Sequence, residues 1–258
     1  MRALVFAIAF AAVAVSNRSA EAERLVVSLS EHRVMVTSNF VGEELILFGG
    51  IEQDQASRAR RGGYDVVATV TGPPQTIVTF RKERWLGIWV NADSRVFEDV
   101  PAYLAVLSNR PLDQIATSET LRRLQLGLDN VSLPQRASVQ IAESASDDPF
   151  RVAFINLRKE HGLYRAATNG VTFLAASLFR ASIALPAEVP VGSYQVDVRL
   201  FADGTQIARE QAPFEVYKSG FEQVVTAAAR EHGVLYGLAT AMMAVTTGWF
   251  ASVVFRRD

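Results

Sequence analysis

Pro190-Val191-Gly192-Ser193-Tyr194-Gln195-Val196-Asp197-Val198-Arg199-Leu200 turns once and then alternates. Successive side chains of an extended chain point to opposite faces, so Tyr194, Val196, Val198 and Leu200 share one side and Gln195, Asp197 and Arg199 the other. The reading is a strand with one buried face and one wet face. Just beyond it, Asp203-Gly204 marks a hairpin into a strand carrying Phe214 and Val216.

Working outward, the same period of two returns across the N-terminal half. Leu25 to Leu29, Arg33 to Thr37, Glu44 to Phe48, Tyr64 to Val70, Thr76 to Phe80, Trp85 to Val90 and Tyr103 to Leu107 are short runs rich in Val, Ile, Phe and Trp. Gly49-Gly50, Gly62-Gly63 and Gly72-Pro73-Pro74 punctuate them, and Gly49 to Gly63 reads as an exposed polar loop. Between the two β-rich regions the pattern turns helical. Ser118 is placed to cap a helix through Leu126. Asp148-Pro149 starts another, on which Phe150, Ala153, Phe154, Leu157 and His161 recur before Gly162. The spacing of Gly192 and Tyr194 is similar to the corner tyrosine of immunoglobulin-like domains. The expected fold is mainly β: an immunoglobulin-like β-sandwich, one large or two small, with a helical insertion.

The two ends read differently. Val234 to Phe255 is a run of 22 residues without a charge, followed by Arg256, Arg257 and Asp258. As a helix it would span roughly 33 Å, against a hydrocarbon core of about 30 Å, and it is expected to cross a membrane. At the other end Arg2, the apolar stretch Ala3 to Val15 and Ala20-Glu21-Ala22 have the layout of a cleavable signal peptide, the alternative being an uncleaved anchor. Phe221 to His232, with Phe221, Val224, Val225 and Ala228 on one face, extends the membrane helix outward as a stalk. The expected division is a signal peptide over 1–22, β-rich regions over 23–112 and 166–218, and a helical insertion over 113–165. A juxtamembrane helix over 219–233, a transmembrane helix over 234–255 and a cytoplasmic tail over 256–258 complete it. Positive residues favour the cytoplasmic side, so the body is placed in the periplasm and the helix in a bacterial inner membrane, single-pass.

Composition narrows the chemistry. With 49% hydrophobic and 21% charged residues the chain is in the globular range. The part between signal and tail carries 22 basic and 25 acidic residues, a balance that does not recruit nucleic acid. There is no cysteine, which excludes disulfides, thiolate metal sites and cysteine nucleophiles.

Several phrases occur together: Gly87-Ile88-Trp89-Val90-Asn91, Val100-Pro101-Ala102-Tyr103 running to Ser108-Asn109-Arg110-Pro111-Leu112, Leu178-Phe179-Arg180, Pro190-Val191-Gly192-Ser193-Tyr194, Tyr236-Gly237 and Gly248-Trp249. In these the chain resembles the alphaproteobacterial putative transmembrane protein family. The resemblance implies a signal peptide, a periplasmic domain and a single C-terminal anchor, with no established activity and no catalytic residues. It also implies neighbouring permeases of the sulfite-exporter type.

Candidate sites are few. His32, His161 and His232 are far apart, and adjacent helix residues such as Glu160 and His161 do not converge on one ion, so no metal or other cofactor is expected. No nucleophile elbow, P-loop or dinucleotide fingerprint is present, and no catalytic residue is assigned. The densest local chemistry is Arg81, Lys82, Arg84, Trp85 and Trp89. On one continuous strand Trp85, Gly87 and Trp89 share a face, so two indoles flank a gap beside cations that favour an anion; the plainer reading puts both indoles in the core. Arg58, Arg60 and Arg61 form a second basic cluster in the polar loop. Gly233, Gly237 and Ala241, and then Ala244, Gly248 and Ser252, repeat every four residues, a spacing that lets membrane helices approach closely. The expected function is a noncatalytic, membrane-anchored periplasmic protein, an accessory of a membrane-protein partner such as a transporter, or a homodimer. An anion-binding or sensing module is the alternative, and an unrecognised enzyme the third.

Overall fold

The computed structural model describes residues 23–52, 63–137, 140–143, 145–218, 229–230 and 232–254. The expected signal peptide, the Arg58, Arg60 and Arg61 cluster, almost all of the stalk, Phe255 and the cytoplasmic tail lie outside them.

The alternating segments form three sheets. In the first, β1 (Arg24–Leu29), β3 (Gly42–Glu52), β12 (Leu178–Pro186) and β11 (Val171–Ala175) are antiparallel neighbours in that order. The second runs β10 (Tyr164–Thr168), β7 (Leu104–Ser108), β4 (Asp65–Thr71), β13 (Gly192–Ala202), β14 (Thr205–Lys218) and β2 (Arg33–Val36). Its two outermost pairings, β10 with β7 and β14 with β2, are parallel. A third sheet contains β5 (Pro74–Trp85), β6 (Ile88–Pro101), β8 (Pro134–Ala137) and β9 (Gln140–Glu143).

The opening stretch sits at the centre of the second sheet. Tyr194, Val196, Val198 and Leu200 are buried, and Val196, Val198 and Leu200 pair across the sheet with Val70, Ala68 and Val66. Their face joins Leu45, Leu47, Phe179 and Ile183 of the first sheet in one continuous core. Tyr103, just ahead of β7, donates a 2.8 Å hydrogen bond to the Ala184 carbonyl of β12, tying the sheets together. Tyr194 donates its hydroxyl to the Pro190 carbonyl four residues upstream, as a corner tyrosine does. The mainly β class therefore stands, while the third sheet and the parallel edge strands depart from the immunoglobulin-like pattern.

Several local expectations need correction. Gly49 and Gly50 do not end a strand: β3 runs through them, because a Cβ at Gly49 would lie 2.0 Å from the Phe179 ring that covers it. Strands of both β-rich regions pair with one another, β3 with β12 and β4 with β13, rather than forming two sandwiches in series. The insertion is only partly helical. Helices α1 (Leu112–Ile115) and α2 (Ser118–Arg123) are short, and Thr117, not Ser118, caps α2 by accepting from Thr120 N. After β8 and β9, helix α3 (Pro149–Glu160) starts as expected, with Asp148 accepting from Phe150 N at 2.9 Å. Phe154 packs between Phe97 of the third sheet and Tyr164 of the second, at ring-centroid distances of 4.9 and 5.8 Å.

The charge-free segment forms helix α4 (Gly233–Val254) of 22 residues. Among the described residues no helix is long and apolar enough to cross a membrane. α4 itself carries no charge.

Candidate functional site: a projecting aromatic hairpin

Two stretches expected as separate strands, Thr76 to Phe80 and Trp85 to Val90, belong to one long ribbon. β5 and β6 pair antiparallel from Pro74↔Pro101 out to Trp85↔Ile88, joined by Leu86 and Gly87 alone. Both loop residues have positive φ, 48° and 88°, as a two-residue hairpin turn matched to strand twist requires. Glycine adopts that region freely, whereas a leucine there is an outlier, held in place by the pairing on either side. β8 pairs with β6 only at Val96 and Phe97, so among the described residues the outer ribbon has no third strand. From Phe80 to Trp85 it extends about 20 Å at the rise of a strand.

The turn corrects the arrangement of the indoles. Because the chain reverses at Leu86-Gly87, Trp85 faces Ile88 across the ribbon and Trp89 faces Arg84. The two tryptophans are therefore on opposite faces and flank no common gap. Nor are they core: Trp85 and Trp89 are each 68% exposed, Ile88 64% and Leu86 88%. Full burial of one such side chain is worth about 1.5–3 kcal/mol, so the tip forgoes a sizeable stabilisation by standing in solvent.

The cations gather behind the tip. Lys82 and Arg84 lie on the Trp89 face; Arg81 and Glu83 lie on the Trp85 face and form a 3.0 Å ion pair, both more than half exposed. Arg81 and Lys82 also border a groove of about 280 Å³ with Phe80, Pro149 and Phe150, where the ribbon meets the start of α3. The structure thus brings Arg81, Lys82, Arg84, Trp85 and Trp89 onto one hairpin, as a charged neck and an apolar tip. Leu86, Ile88 and the half-exposed Phe80 belong to the same surface and were missed by sequence reasoning. Gly87 between two alternating runs was the available signal.

A second depression, of about 440 Å³, lies on the other face of β4 and β13. This face was expected to be wet, but the segment around Leu124 and Leu126 folds over it. Thr69, Thr71, Asp197 and Arg199 line it, and the Thr69 hydroxyl is buried without a protein partner among the described residues. Its charges serve each other. Arg199 donates to Asp197 at 2.8 and 3.0 Å and to the Leu124 carbonyl at 2.8 Å, and Arg209 donates to Asp197 at 2.7 and 3.0 Å. The hydrogen bond to Asp197 raises the pKa of Arg209. Such a cleft can hold water or a small polar molecule.

The remaining sequence candidates are dispersed. His161 caps the end of α3 with Nδ1 3.4 Å from Glu188, while His32 and His232 contribute backbone carbonyls to Glu215 N and Tyr236 N. Among the described residues no group of three His, Cys, Asp or Glu side chains is placed to hold a metal. Asn109 and Arg110, in one of the phrases noted above, anchor the fold: both donate to the buried Asp65 carboxylate, and Asn109 accepts from Val66 N. Gly233, Gly237 and Gly248 face open space.

The family model described as "Putative transmembrane protein" matches residues 24–257. No curated protein matches the chain.

Proposed function

The chain belongs to this putative transmembrane protein family, and from that premise we propose a noncatalytic, membrane-anchored protein whose exported β-rich body serves a membrane-protein partner of the transporter type. The observation that carries the reading is α4. It has 22 residues without a charge, and its described side chains are exposed apart from the half-exposed Thr240. Its threonine hydroxyls are already satisfied. Thr240 donates to the Tyr236 and Gly237 carbonyls, Thr246 to Met242 and Met243, and Thr247 to Met243, at 2.7–3.1 Å. Hydroxyls bonded to the preceding turn cost far less to place in lipid than unbonded ones. With the signal-like N-terminus and Arg256-Arg257 after the helix, the body is assigned to the periplasm and the C-terminus to the cytoplasm of an inner-membrane protein.

The stripes Gly233-Gly237-Ala241 and Ala244-Gly248-Ser252 are the surface offered to a partner helix or a second copy. Membrane fractionation and co-purification in mild detergent test both parts. The full chain is expected to stay with membranes after an alkaline carbonate wash and to bring down a stoichiometric membrane protein. Gly237→Ile should reduce that partner at least several-fold without releasing the chain from the membrane. Release of the wild type by carbonate would overturn the anchoring, and an unchanged partner yield with Gly237→Ile would overturn the helix contact.

One observation favours a second reading, an anion-binding module: Arg81 and Lys82 border the groove beside Phe150. A thermal shift with phosphate or sulfate that Lys82→Gln abolishes would support it over the first.

A further inference from the structure

We propose that the β5–β6 hairpin is a second membrane contact, its tip seated in the interfacial layer of an anionic phospholipid bilayer. The inference rests on the membrane placement argued above. Trp85 and Ile88 are apolar on one face of the ribbon, Trp89 on the other, and Leu86 at the apex, all at least 64% exposed. A protein docked on one face of so thin a ribbon would leave the opposite indole in water. Lipid surrounds an inserted tip and covers both faces at once.

The side-chain types match that environment. Tryptophan combines a large apolar ring with one N–H donor, which suits the boundary between acyl chains and headgroups. Arg81, Lys82 and Arg84 stand immediately behind the tip, with Glu83 as the only acid between Arg81 and Asn91. Their alkyl stems can lie along the apolar layer while the charged ends reach lipid phosphates. The backbone agrees: Leu86 occupies a left-handed conformation that asparagine or glycine would hold at less cost, so a turn optimised for folding alone would not place leucine at the apex.

The test uses the full chain carrying Trp249→Phe, so that Trp85 and Trp89 are the remaining indoles. It is reconstituted into vesicles of phosphatidylcholine with phosphatidylglycerol, with or without lipids brominated near the glycerol end of the acyl chain. The expected result is blue-shifted emission, strong quenching by the brominated lipid, and several-fold weaker quenching by aqueous iodide than in detergent. Arg81→Gln, Lys82→Gln and Arg84→Gln together, or vesicles of phosphatidylcholine alone, should cut the bromolipid quenching at least twofold. Chain that floats with the vesicles while its indoles are quenched by iodide and not by bromolipid would overturn the proposal. Cross-linking of hairpin tips between copies without bromolipid quenching would overturn it in favour of a second copy. If the chain fails to float, the anchor is at fault; brominated vesicles added to it from outside then decide the hairpin separately, by the presence or absence of quenching.

Discussion

Leu86 shows how one residue can run against local preference. Its φ of 48° costs a β-carbon clash of about 1–2 kcal/mol that asparagine largely relieves. Leu86→Asn is therefore expected to raise stability by about 0.5–1 kcal/mol. Slower hydrogen exchange of the hairpin amides and a higher denaturant midpoint are the readouts. An unchanged or lowered stability would show that the leucine side chain is held by contacts within the chain. Leu86 and Gly87 together explain why the indoles are out of phase: a period-two argument keeps Trp85 and Trp89 on one face only if no turn intervenes. Leucine does not announce a turn. Gly87 alone was the cue, since a lone glycine within a strand pattern marks either a bulge or a reversal.

At the level of elements, legibility followed the strength of local chemistry. Helix α3 was readable because Asp148 and Pro149 satisfy its first turn and Phe150 and Phe154 mark its buried face. Asp148→Ala removes the acceptor for Phe150 N and the partner of the Gln135 side-chain amide, and should cost about 1–2 kcal/mol in denaturant unfolding. A loss below about 0.3 kcal/mol would mean that the aromatic packing of Phe154 alone sets the helix start. α2 was placed one residue late because Thr117 and Ser118 are both good caps, and only geometry chooses between them. β8 and β9 went unread, since Pro134-Gln135-Arg136-Ala137 and Gln140-Ile141-Ala142-Glu143 hold a single β-branched residue between them, whereas the equally short β2 carries two valines.

Across the molecule, two of three buried tyrosines bond to pieces distant in sequence, and the third closes a local turn. Tyr103 bonds to Ala184, Tyr164 to Pro101 and Tyr194 to Pro190, and the rings of Tyr103 and Tyr194 lie 5.9 Å apart. Burial pushes the pKa of Tyr103 up from 10.0 to about 12 and raises those of Tyr164 and Tyr194 as well. Well below pH 10 these hydroxyls are protonated in both folded and unfolded chains and themselves add no pH dependence to stability there. Above pH 10 the unfolded chain ionises first, and stability falls as pH rises toward 12 and beyond. Denaturant midpoints are expected to drop steeply between pH 10 and pH 12. Tyr103→Phe should shallow that fall at a cost of about 1 kcal/mol at neutral pH. An unchanged alkaline slope would show that other groups govern the transition.

The sequence by itself determined the mainly β class, the alternation of β13, the start of α3, the charge-free terminal helix and the clustering of Trp85, Trp89 and their neighbouring cations. All of these depend on residues close in the chain, where side-chain period, caps and charge act directly. Tertiary structure decided which strands pair. β3 meets β12 across more than a hundred residues because the core rewards complementary apolar faces wherever they lie in the sequence. It also decided that Gly49 accommodates Phe179 rather than making a turn, and that the tryptophans point away from each other on an exposed ribbon. Exposure is a property of what remains uncovered after packing, and no local pattern specifies it.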